Sequence, residues 1–321
     1  MRKITKIWLI AAAALLLLGA TIFGGTMMFL KWDFKKLGTQ SMQTNVYQPE
    51  GEIRSISVDT REAEISFLPS ETDDCRVICY ERQRVTHAVE IIDGVLTVRA
   101  DDARKWYDYI GFSFETPLVT VYLPAGAYET LTVRGNTGDI AVPKEFSFTD
   151  IDVEVSTGTV KNYASATGDI RIKTSTGHIL TENVTAASMS LSVTTGKVRV
   201  TSVTCTGDVS VAVDTGDAEI SRVVCKNLYS VGDTGDLDLQ DVVALEKFSF
   251  ERDTGDIEFE RCDAAEIFIK TTTGDVEGSL LSEKLFNAKS NTGKVEVPPP
   301  TTGGKCEIVT GTGDIEIEVE P

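Results

Sequence analysis

Three Asp-Thr-Gly triplets, beginning at Asp214, Asp233 and Asp253, are the residues whose type and order first suggest chemistry. In an aspartic protease such a carboxylate shares a proton with a second one across a closed cleft. Here each triplet is followed by a further acid, Asp217, Asp236 or Asp256, so the chain carries three equivalent DTGD turns at near-equal spacing. Equivalent turns in a row do not make a unique dyad, and the protease reading falls. Paired rows of hard oxygen ligands can instead accept Ca²⁺ weakly, in the millimolar range of extracellular modules. Asp214, Asp217, Asp233, Asp236, Asp253 and Asp256 are therefore the candidate calcium ligands, with Asp275 continuing the row. The competing reading is a set of solvated turn formers. Acids stacked about 4.8 Å apart repel by only ~0.9 kcal/mol in water, a cost the fold can bear without a metal. No other cofactor is expected.

Other reactive side chains are few. Of the two histidines, His178 stands where neighbouring repeats carry the Asp of Thr-Gly-Asp, which makes it a turn residue, and His87 is isolated and given no role. The six cysteines, at 75, 79, 205, 225, 262 and 306, form no CxxC pair, which excludes zinc ribbons and thioredoxin-type dithiols. Cys205 and Cys225 each follow a turn glycine by nine residues, so they are expected one above the other, as a disulfide or as two buried thiols. Cys75 and Cys79 lie four apart in an expected strand, too far to pair. Lys and Arg number 31 against 49 Asp and Glu, a net charge of −18. Phosphate neutralisation needs the opposite balance, so nucleic acid is excluded as a partner.

The elements that position these residues are set by repetition. Thr-Gly recurs with glycines at 138, 158, 177, 196, 216, 235, 255, 274, 293 and 313, nine gaps over 175 residues and a period of 19.4. Two residues after each glycine stands an apolar residue in all ten repeats, from Ile140 to Ile315; seven before stands another, and five before in nine of ten, Ser230 being the exception. Alternation on both sides of a glycine turn specifies two short strands per repeat, with a second turn at the half-period where Thr167-Gly168-Asp169 and Thr206-Gly207-Asp208 fall. The result is an all-β chain, a parallel β-solenoid of about ten flattened coils of 19 to 20 residues. One coil cannot offset a backbone entropy of about 1–2 kcal/mol per residue, so stability has to come from stacking.

The regular array is assigned to 136–321 and a divergent, β-rich start and cap to 51–135. Val58 to Ser66 aligns with Val213 to Ser221, which puts Arg61 at the glycine position. Trp106, Tyr107, Tyr109, Phe112 and Phe114 are expected to plug the first coil. Ile315, Ile317 and Val319, alternating with Glu316, Glu318 and Glu320, read as a charged edge strand closing the other end. Solenoid enzymes build clefts from long loops, which the constant spacing leaves no room for after residue 135. The chain is therefore expected not to be an enzyme.

The N-terminus changes the compartment. Residues 7–30 are an uncharged apolar run long enough to cross a bilayer core of roughly 30 Å. A six-residue tail with Arg2, Lys3 and Lys6 precedes it and a juxtamembrane linker, 31–50, follows. A cleaved signal peptide is the rival, but its apolar region is roughly 7 to 15 residues long. The expected topology is a single-pass protein of the bacterial cell membrane, N-terminus cytoplasmic and the rest outside, with the lipid bilayer as a partner through 7–30.

An N-terminal anchor, a variable β-rich lead-in and a train of TGD-I-x-I coils over about residues 45–321 resembles a bacterial family of β-strand repeats, a domain of unknown function described as candidate adhesins. The resemblance implies an envelope-associated, non-enzymatic protein and supplies no catalytic residues. Two functional classes follow. One is a tethered, adhesin-like binding or scaffold module for an unidentified envelope component or protein; the other is a structural solenoid that self-assembles coil to coil.

Overall fold

The computed structural model describes residues 3–33, 41–72, 74–106, 115–299 and 302–320. About nine turns of parallel strands stack into a solenoid. The expected columns are its core. Leu131, Ile151, Ile170, Met189, Val209, Leu228, Phe248 and Ile267 pair in succession, each against the next, and all are buried. Beyond the turn, Ile140, Val160, Ile179, Val198, Ala218, Leu237, Ile257 and Val276 form the facing wall, again buried throughout. Burying each Val, Leu, Ile or Phe is worth about 1.5–3 kcal/mol as an upper estimate.

Glycine is demanded twice at every turn. The turn glycines have φ between +123° and +151°, and a Cβ on Gly196 would lie 1.7 Å from the carbonyl oxygen of Gly177 one coil away. Five coils also bend at a corner the sequence reading lacked. Six residues after the glycine, Asn183, Ser202, Arg222, Asp241 and Arg261 take φ of 50° to 56°, so the coil is three-cornered rather than flattened between two turns. Their side chains stitch coils together: Arg261 donates to both carboxylate oxygens of Asp241 at 2.8 Å, and Arg222 Nε donates to Ser202 Oγ at 3.0 Å.

Both ends depart from chain order. At the C-terminal end, Gly304–Thr312 pairs with Ile257–Thr273 on one side and Lys284–Thr292 on the other, and Ile315–Val319 lies between Val276–Leu280 and Val295–Glu296. The last strand is thus internal, not the charged edge expected of it. The physical reason is in the alternation: Cys306, Ile308, Thr310, Ile315 and Ile317 are all buried and need two neighbours. Lys284–Thr292 exposes Leu285 and is followed by Val295 at 39 % exposure, Pro298 and Pro299, features that suit a protected edge.

At the other end, Ser55–Glu62 and Glu64–Pro69 form the coil below Gly138, with Ile56 opposite Leu131 and Ile65 opposite Ile140. That register puts Ala63, not Arg61, at the glycine position, because the apolar columns outweigh the Asp-Thr match. From there the chain overshoots to a hairpin, Arg76–Arg82 and Val85–Ile92, and returns through Val95–Asp102 and Leu118–Leu123 to fill the intervening layer. Met42–Tyr47, within the expected linker, pairs antiparallel with Arg76–Arg82 and is the outermost strand. This hairpin covers the end of the stack. Trp106 is 78 % exposed, and Tyr107, Tyr109, Phe112 and Phe114 lie outside the described residues. The N-terminal helix spans Lys3–Phe29, and its Thr5–Phe29 portion is long and apolar enough to cross a membrane, with mean hydropathy 2.3.

Candidate functional site: the acidic face

The turn aspartates form a ladder. Because Ile315–Val319 is inserted, the residue after each glycine runs Lys197, Asp217, Asp236, Asp256, Asp275, Asp314, Lys294 along the rod. One carboxylate oxygen of each aspartate accepts the backbone N–H of the next coil: Asp236 Oδ1 from Asp256 at 2.9 Å, Asp256 Oδ1 from Asp275 at 2.8 Å, Asp275 Oδ1 from Asp314 at 2.7 Å. The Asp of TGD is therefore an inter-coil acceptor, a role open to few other side chains at this place. Asp214, Asp233 and Asp253 stand exposed just before the same turns. Among the described residues, the six candidate calcium ligands do not gather three ligand atoms within 4.8 Å of one another. His178 is exposed in this column between Thr159 and Lys197, as its position in the repeat implied.

A second acidic row, which the sequence reading missed, runs beside the first. Three residues after the glycine, Glu219, Asp238, Glu258, Glu277, Glu316 and Glu296 pair in succession. Its signal was present in the repeat as a column of acids starting at Glu219. Before it the column is basic or neutral, with Lys161, Leu180 and Arg199. Glu219 is paired with Lys197 and Arg199, and Glu296 with Lys294. Asp238, Glu258, Glu277 and Glu316 form no ion pair among the described residues. Desolvation raises the Asp238 carboxyl above its usual range, helped by Asp236 and Glu219. Desolvation likewise raises Glu258, with Asp238 and Glu277 adding to it. Between the rows runs an open groove of about 340 Å³ lined by Asp238, Glu258, Glu277, Glu316 and Glu318. Such a surface focuses negative potential and attracts cationic groups.

The cysteines are buried thiols. Cys205 and Cys225 lie on adjacent coils, the register Thr204 to Val224 placing them side by side, and neither is in a disulfide. Burial pushes Cys205 up to about 11 and Cys225 to about 12, which leaves both unreactive. Cys75 and Cys79 are also free. His87, far from isolated, is 4 % exposed and bonded through Nδ1 to the buried carboxylate of Glu81 at 2.6 Å.

No curated protein matches this sequence. Among solved structures, a candidate adhesin from Parabacteroides merdae ATCC 43184 superposes with a TM-score of 0.51 at 15 % identity, covering 75 % of this chain and 97 % of that one. A candidate lipid-binding protein from Parabacteroides distasonis ATCC 8503 is 13 % identical, with a TM-score of 0.48, covering 88 % and 98 %. A candidate adhesin from Bacteroides fragilis NCTC 9343 is 14 % identical, with a TM-score of 0.42, covering 87 % and 97 %. The first of these has the same fold. The Toastrack DUF4097 pattern matches residues 53–212 and 206–321, nearly the whole β region, and with its glycine-turned stacked coils the chain belongs to that family.

Proposed function

We propose that this chain is a non-enzymatic binding and scaffold module, tethered to the bilayer by its N-terminal helix, with the rod on the extracytoplasmic side. The observation that carries the reading is the run Asp238, Glu258, Glu277, Glu316, four in-register acids that form no ion pair among the described residues. Repulsion along such a row lowers stability, and a row of this kind is tolerated where a cationic partner surface is to be met. The candidate-adhesin description of the Parabacteroides merdae protein agrees with a binding role. Coil-to-coil assembly is less favoured, because Pro298 and Pro299 follow the C-terminal edge strand and the hairpin covers the other end.

Binding of the full chain in nanodiscs to an oligolysine-coated surface tests the reading. Binding that weakens with salt and is lost when Asp238, Glu258, Glu277 and Glu316 become Gln supports it. Equal binding by wild type and the fourfold variant overturns the acidic face as the contact surface.

A further inference from the structure

The capping hairpin buries three side chains that closing the rod does not require. Cys79 and Glu81 alternate on one face of Arg76–Arg82, and His87 stands on the returning strand Val85–Ile92. Cys79 and Glu81 are 0 % exposed and His87 4 %. The ligand atoms of all three lie within 4.8 Å of one another, and among the described residues no other three His, Cys, Asp or Glu side chains converge so closely. Glu81 Oε1 accepts from Asn45 Nδ2 at 2.5 Å, and the Tyr47 hydroxyl donates to the His87 carbonyl oxygen at 2.7 Å. The outer strand Met42–Tyr47 thus braces the cluster.

Two observations point beyond a packed hydrogen-bonded pair. Among the described residues, His87 Nε2 is buried with no hydrogen-bond partner. The same ring lines a small, partly enclosed cavity of about 10 Å³, with Arg61, Glu62, Ala63, Arg82, Val85 and Pro117. A buried carboxylate is costly unless its charge is compensated and hydrogen-bonded. Apolar residues would close the hairpin more cheaply than a carboxylate, a thiol and an imidazole with an orphaned nitrogen.

We propose that Cys79, Glu81 and His87 form a binding site for a borderline-soft divalent cation of the zinc class. Thiolate, carboxylate and imidazole are the ligand set that such an ion takes, at bond lengths of roughly 2.0–2.3 Å, so the ion enters by opening the 2.6 Å contact between His87 Nδ1 and Glu81 while the Cys79 sulfur closes on it. On binding, the Cys79 thiol releases one proton to solvent, and the thiolate and the Glu81 carboxylate together neutralise the dication. His87 coordinates through Nδ1, its proton moving to Nε2, the outer nitrogen that a ligating histidine keeps as its donor. The ion ties the two strands of the hairpin together at the end of the rod that Met42–Tyr47 borders.

The test uses the purified full-length chain in detergent, stripped with a chelator and titrated with Zn²⁺, and separately with Co²⁺ to read the thiolate-to-cobalt charge-transfer absorption. The expected result is one equivalent of Zn²⁺ per chain, a rise in thermal midpoint, and a cobalt band that disappears in Cys79→Ser and in His87→Gln. Cys205→Ser and His178→Gln keep the stoichiometry and the band. A folded wild-type chain that binds less than a tenth of an equivalent overturns the site. So does a band that survives Cys79→Ser or is lost in Cys205→Ser. Should His87→Gln fail to fold, Cys79→Ser, a one-atom change, decides alone.

Discussion

The carbonyl oxygen of Gly313 faces Gly293, a residue that precedes it in the chain but lies one layer further out. A chain ending after Gly303 would therefore lose its penultimate layer and leave Lys284–Glu296 without the partner it pairs with. Limited proteolysis should release the segment after Leu280 from that truncated protein at protease concentrations that leave the full chain intact, with a lower thermal midpoint. Equal protection of Lys284–Thr292 in both proteins would contradict the inserted order.

Ile257 is 0 % exposed in the wall beyond the turn, and Asp256 beside it is exposed. Ile257→Asp is expected to cost several kcal/mol, since it places a carboxylate in the core with no partner. Asp256→Asn keeps an oxygen to accept the Asp275 N–H and is expected to stay within about 0.5 kcal/mol. Chemical denaturation of the two variants reads the difference directly, and similar midpoints would refute the inward assignment.

Glu258 lies between Asp238 and Glu277, and its carboxyl is raised in the folded state. A raised acid binds its proton more tightly when folded, so its contribution is unfavourable above its folded pKa and is relieved as pH falls through that value. Each adjacent pair repels by about 0.9 kcal/mol before screening by salt. Glu258→Gln should raise the thermal midpoint at pH 7 and low salt, less at high salt, and the gain should vanish as pH falls through the raised pKa and the wild-type carboxyl takes up its proton. A gain that persists in acid would point to packing rather than charge.

For the DTGD aspartates, one oxygen of Asp217, Asp236 and Asp256 already faces a neighbouring N–H, leaving the other to meet a cation. Millimolar Ca²⁺ is expected to raise the thermal midpoint modestly beyond sodium at equal ionic strength. The increment should be lost when Asp214, Asp217, Asp233, Asp236, Asp253 and Asp256 become Asn. Equal melting with and without Ca²⁺ leaves them as turn formers.

The regular coils were legible because one glycine per repeat fixes the turn, and the parity of the apolar columns then decides which side chains face inward. Corners without a signature residue were not: Asn183, Ser202, Arg222, Asp241 and Arg261 share a positive φ but no common chemistry. The end layers escaped for another reason, since pairing between Ile267 and Cys306 skips a whole repeat, and periodicity is blind to which repeats are spatial neighbours. Arg252 is a third kind of miss. It occupies an inward column over Gly232, 3 % exposed, where burial lowers its guanidinium to about 10 and Ser230 is its partner at 3.0 Å. Only the coincidence of a missing side chain on one coil with a long one on the next marks it. Glu81 and His87 meet across a hairpin within the divergent lead-in, where no column exists to align them.

The inserted final layer also sets when the rod is finished. Coils up to Val276 can be added one at a time on the growing end, each laid on a surface already present. Lys284–Glu296 has no such surface when it is made, because the layer it rests on is still to come. A chain delivered vectorially, N-terminus first, holds its distal end open until the last strand arrives and slots between two others. A chain cut before Gly304–Thr312 therefore carries two raw strand edges where the longer chain has a paired layer.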